Sequence, residues 1–119
     1  MKTGAERIAE ERARQVAKKG WTAEHDDQHD DGQLALAAVC YAASAACEHV
    51  YVKHEYAASI SIADPWPWPG QYCDARPYDG NVLKEPTKEE AIRLLEKAGA
   101  LIAAEIDRLL RARVAKESR

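Results

Sequence analysis

Phenylalanine is absent from this 119-residue chain, methionine occurs once, and glycine only six times. The scattered glycines form neither a P-loop nor a dinucleotide fingerprint, so phosphate cradles of those types are excluded. Three cysteines, Cys40, Cys47 and Cys73, match no zinc spacing. Cys40 and Cys47 sit in an apolar run and read as small buried hydrophobes. No apolar run is long enough to span a bilayer, which argues against a membrane protein. The opening MKTGAERIAEERARQ has no apolar core of a secretory signal, so a cytoplasmic location is expected. A basic excess is missing too: net charge is −3 and the pI is near 5.8, which argues against nucleic acid as a partner. Basic residues gather at both ends (Arg7, Arg12, Arg14, Lys18, Lys19; Arg108, Arg111, Arg113, Lys116, Arg119). Interleaved glutamates make these solvated helix faces.

What remains is strongly helical. The length predicts a single domain over 1–119. Residues 5–19 are rich in Ala, Glu, Arg and Lys, with Ile8, Ala9, Ala13, Val16 and Ala17 as a thin apolar stripe, and Gly20 ends the helix. A second helix is predicted over about 30–51, apolar on nearly all sides and therefore buried. Residues 53–86 break the pattern. Five prolines and the run Pro65-Trp66-Pro67-Trp68-Pro69 predict an irregular, extended crossover. The third helix, about 88–114, opens on a capping box, Thr87 to Glu90. Ile92, Leu95, Gly99, Ile102, Ile106 and Leu109 follow at alternating spacings of three and four. The expectation is an all-α fold: a small three-helix domain with a Trp/Pro-rich crossover and a long C-terminal helix. That helix is longer than one short partner can cover, which predicts a homo-oligomer paired through it.

The chemistry-bearing stretch is His25-Asp26-Asp27-Gln28-His29-Asp30-Asp31. Aspartates at a helix start cap free N–H groups and complement the dipole, but four exceed what capping needs. His25 and His29 share a helix face, so a divalent metal is conceivable, with magnesium the cation to consider. No zincin or EF-hand pattern supports it. The crossover concentrates Trp66, Trp68, Tyr72 and Tyr78 beside Arg76. Planar rings and a guanidinium can stack on a base and hold a phosphate. Glu105 falls on the apolar side of the last helix. A ligand site is therefore predicted from His25, Asp26, His29, Trp66, Trp68, Tyr72, Arg76 and Glu105. Against it stands a plainer reading, in which the tryptophans close the core.

Three blocks, GWTAEHDDQHDDGQLALAAVCYA, DPWPWPGQYCDARPYDG and KAGALIAAEIDRL, resemble a family of small bacteriophage and prophage proteins of uncharacterised function. The resemblance covers nearly the whole chain. The sequence departs from it after Trp68, reading Pro69-Gly70-Gln71-Tyr72 where the family continues basic and Trp-rich. The resemblance implies an accessory protein in the host cytoplasm and supplies no catalytic residue. Three functions are then open. One is non-catalytic capture of a small nucleotide-like ligand or a host protein, as in counter-defence. Another is magnesium-dependent nucleotide pyrophosphohydrolysis by Asp26, Asp27, Asp30, Asp31, Glu48 and Glu105, although the E-x-x-E and E-x-x-D motifs are not cleanly present. The third is a structural module acting through the C-terminal helix.

Overall fold

The structure is a computed structural model that describes residues 1–48, 50, 52–56, 59–63, 66–67, 78–79, 82–83 and 85–117. Helix α1 spans Gly4–Lys19, α2 Ala23–Asp27, α3 Gln33–Ala45 and α4 Lys88–Glu117. The packed body is all helical. No helix among the described residues is long and apolar enough to cross a membrane.

Each helix end has a local cause. Thr3 caps α1 through a reciprocal box with Glu6, both bonds at 3.2 Å. Gly20, at φ 71°, turns the chain out of α1, and the Trp21 N–H donates to the Gln15 carbonyl. Thr87 and Glu90 form the expected box at the start of α4, with bonds of 3.0 and 3.1 Å. The end of α3 differs from expectation. It stops at Ala45, six residues short of the predicted boundary. Cys47 takes a left-handed φ of 57°. The Cys47 N–H donates to Ser44 and the Glu48 N–H to Ala43, the bond pair that closes a helix when a left-handed residue follows its cap. A short helix that the sequence reading did not predict, the one-and-a-half-turn α2, precedes α3, and Gly32, at φ 78°, separates the two.

The crossover also departs from an irregular path. Strands β1 (Val52–Tyr56) and β2 (Ser59–Ala63) pair antiparallel, with Val52 opposite Ala63 and Tyr56 opposite Ser59. A shorter pair joins β3 (Tyr78–Asp79) to β4 (Val82–Leu83). Alternating β-branched residues in Ser-Ile-Ser-Ile favour a strand, and Asp79-Gly80 is hairpin composition.

Helix α4 is the central element, and both α3 and α1 pack on it. Leu34, Ala37 and Ala38 of α3 meet Ala98, Leu101 and Ala104 of α4; all six are buried. Four of the six are alanines, which lets the two backbones approach closely. Trp21, Tyr41, Ala42 and Trp66 pack half-buried against this core. Trp66 thus acts as a cover, as the plainer reading had it.

The α1 contact overturns the expected stripe. Ala9, Ala13, Val16 and Ala17 are exposed, and the buried residues of α1 are Glu11 and Gln15. The helix docks by polar groups because α4 presents Arg93 to Glu11 and a glycine to Ile8. A Cβ on Gly99 would lie 2.5 Å from the Ile8 Cδ1. With α1 and α3 both on one helix, the body is flat. The radius of gyration is 16.0 Å and the shortest extent 22 Å, against about 13.5 Å for a compact chain of this length.

Candidate functional site

Of the predicted site residues, those in the acidic stretch are held by arginines. Thr22 caps α2, accepting from the His25 N–H at 3.4 Å. The short helix buries Asp26 completely. One oxygen of Asp26 takes the Arg12 Nη2 at 2.5 Å, and the other accepts from His25 Nδ1 at 3.1 Å. Arg12 also donates to the Trp21 carbonyl at 3.3 Å. Asp26 therefore ties α2 to α1 and exposes no surface of its own. Asp27 ties α2 to α4 through Arg111 at 2.8 Å. This contact, with its N–H donation, holds the Arg111 guanidinium above its ordinary pKa.

Glu105 is buried as its position implied, but its partner is Arg108 at 2.5 Å on the same helix. It is a satisfied ion pair. His25 lies parallel to Trp21, with centroids 5.9 Å apart, and meets His29 edge to face at 4.9 Å. Trp66 meets Tyr41 edge to face at 6.0 Å. Trp68, Tyr72 and Arg76 lie outside the described residues. Three of the acids named for pyrophosphohydrolysis, Asp26, Asp27 and Glu105, are thus in intramolecular ion pairs. Among the described residues no group of three or more His, Cys, Asp or Glu side chains converges as metal ligands would.

A different cleft collects the features of a binding site. It lies between α1, the link after it, the second half of α3 and α4, has a volume of about 200 Å³, and is lined by Glu11, Arg14, Gln15, Lys19, Trp21, Tyr41 and Lys97. Trp21, stacked on His25, and Tyr41 supply its aromatic lining. The Lys97 ammonium sits 5.7 Å from the Tyr41 ring centroid, within range of a cation–π contact. The floor is electrostatically fixed. Glu11 accepts from Arg14 at 2.6 and 3.0 Å and from Arg93 at 2.7 Å. Burial pushes its carboxyl pKa up, but hydrogen bonds and charge from Arg14 and Arg93 outweigh that and hold it at about 2. With two arginines on one carboxylate, Lys19 and Lys97 leave the cleft net positive.

Gln15 carries the unusual feature. It is 1% exposed. Its amide nitrogen faces the Glu11 carboxylate at 3.4 Å. A carboxylate only accepts, so the nitrogen belongs on that side. The amide oxygen is buried and accepts no hydrogen bond among the described residues. A buried unsatisfied acceptor costs about 1–3 kcal/mol and is rare enough in folded proteins to require a cause.

None of Glu11, Gln15, Trp21, Tyr41 and Lys97 was among the predicted site residues. The available signals were the Glu11–Gln15 spacing of four on an otherwise exposed helix and a glycine at the middle of α4. Comparisons with protein-family models, with curated proteins and with solved structures found no match.

Proposed function

We propose that this chain is a non-catalytic binding protein for a small, planar, anionic ligand of the nucleotide type, held in the Trp21–Tyr41 cleft. The observation that carries this reading is the net positive cleft lined by Trp21 and Tyr41 together with Arg14, Lys19 and Lys97. Trp21 and Tyr41 would offer aromatic surface to a ring, and the lysines would take negative charge. The cleft of about 200 Å³ suits one ring system, with substituents directed outward past Lys19 and Lys97. The resemblance to small phage and prophage proteins supports an accessory role in a host cell, where capture of a nucleotide-like molecule serves counter-defence.

The test titrates tryptophan fluorescence with a panel of nucleoside mono-, di- and triphosphates. Saturable quenching that Trp21→Phe abolishes is expected, with unaltered ligand recovered after denaturation. No saturable response up to millimolar ligand overturns the binding reading. Recovery of hydrolysis products overturns the non-catalytic one.

A further inference from the structure

The Trp21–Tyr41 cleft has a neighbour. A second cleft, about 220 Å³ in volume, lies between α1 and α4, and Glu11 and Arg14 line both. The two clefts therefore adjoin at one ion pair. The second has no aromatic lining among the described residues. Its wall is charged, with Arg7 from α1 and Arg93 and Glu96 from α4. Arg7, Glu11 and Arg14 follow at spacings of four and three, so they share one face of α1. Arg7 and Arg14 stand about 10 Å apart along the helix axis.

The three arginines are each held by one edge. Glu96 accepts from Arg7 Nε at 3.0 Å. Glu11 accepts from Arg14 Nε and Nη2 and from Arg93 Nη1. The Glu11 side chain is 1% exposed, whereas those of the arginines are 38–46% exposed. Among the described residues no acceptor meets Arg7 Nη1 and Nη2, Arg93 Nε and Nη2, or Arg14 Nη1. A guanidinium offers five N–H donors in a planar fork, and phosphate oxygens suit that fork. Docking of α1 on α4 uses one edge of each arginine and leaves the other edge for a further acceptor.

Charge sets the length of the anion. In the first cleft Glu11 is outnumbered by Arg14, Lys19 and Lys97. A single phosphate group, at up to about two negative charges, matches that excess. The second cleft adds Lys2, Arg7 and Arg93 against Glu10 and Glu96. The joined groove is more positive than the first cleft alone, which calls for a longer phosphate chain. Resting on the reading that a nucleotide occupies the Trp21–Tyr41 cleft, we infer that its phosphate chain passes Arg14 into the second cleft. The ligand class is then a nucleoside di- or triphosphate, with the terminal phosphate on Arg7 and Arg93.

Calorimetric titration of the full chain with adenosine and guanosine mono-, di- and triphosphates tests this. The diphosphate of the nucleoside that binds is expected to bind about tenfold tighter than its monophosphate. Arg7→Gln should remove most of that preference and leave monophosphate affinity unchanged, since Arg7 lines only the second of the two clefts. Glu96 keeps Arg93 at 3.4 Å in this variant, so helical circular dichroism should not change. Glu10→Gln removes an opposing charge from the same cleft and should raise the preference. A merely structural Arg7 would move mono- and diphosphate affinities together, and that result overturns the inference. So does equal affinity of the natural chain for both, which leaves the nucleotide reading standing. So does a preference that Glu10→Gln lowers. Binding of none of the six nucleotides overturns the nucleotide reading itself and the inference with it.

Discussion

Arg93 of α4 reaches across to Glu11 of α1 and donates to its carboxylate at 2.7 Å, while Arg14 grips the same carboxylate from its own helix. Two cations on one buried carboxylate make this the pin between α1 and α4. The folded carboxyl pKa, at about 2, lies below the ordinary 4.5. A depressed carboxyl contributes stability that is present above the ordinary value and lost as pH falls toward the folded one. Stability is therefore expected to hold above pH 4.5 and to decline between pH 4.5 and about 2. Arg14 and Arg93 are 38% and 41% exposed, so screening reduces the effect to about 1–2 kcal/mol. Urea midpoints measured across that range should show the decline in the natural chain and a flatter profile in Glu11→Gln.

Asp26 is expected to be a stability residue. Replacing it with Ala strands the Arg12 guanidinium and the His25 ring proton, and breaking such a pair costs about 3 kcal/mol. The urea midpoint should fall steeply. A ligand-contacting aspartate would instead lose binding with little change in stability, and that result would support the predicted ligand role.

Gly99 and Ile8 are a packed pair. Glycine inside a helix costs up to about 1 kcal/mol relative to alanine, so Gly99→Ala on an open face would stabilise. Here the new methyl meets Ile8 at Cδ1 and Cγ1, 2.5 and 2.8 Å away. A net loss of about 1–2 kcal/mol is expected. Ile8→Ala should relieve it, giving a coupling of about 1 kcal/mol in a double-mutant cycle. Additive losses would show that the helices do not meet there.

Cys47 holds a conformation that glycine adopts without penalty. Cys47→Gly should stabilise the chain by about 1 kcal/mol, read as a higher thermal midpoint. A lower midpoint would mean that α3 does not close at this residue.

Helix existence was legible in the sequence because it rests on periodicity and caps. Thr87, Glu90 and the apolar series from Ile92 to Leu109 marked α4 within three residues of its observed ends. The end of α3 was not legible, because a cysteine occupies the left-handed position where glycine would have announced it. The hairpins were overshadowed by the prolines between them, although Ile60, Ile62 and Asp79-Gly80 carried the strand and turn signals. The acidic stretch drew attention by its density of charge. Its density serves docking: Arg12 comes from the preceding helix and Arg111 from α4, 84 residues on from Asp27, and spacing along one segment does not reveal a partner on another. The cleft was hidden for the same reason. Gln15, Tyr41 and Lys97 are separated along the chain and converge only after α1 and α3 have packed on α4.

The most direct measurement compares nucleotide binding and stability in Lys97→Glu, which reverses a charge lining the cleft. Calorimetric titration should show the dissociation constant rising at least tenfold. The urea midpoint should change little, because Lys97 is not among the buried residues of α4. Unchanged affinity in Lys97→Glu would contradict the placement of the ligand in this cleft.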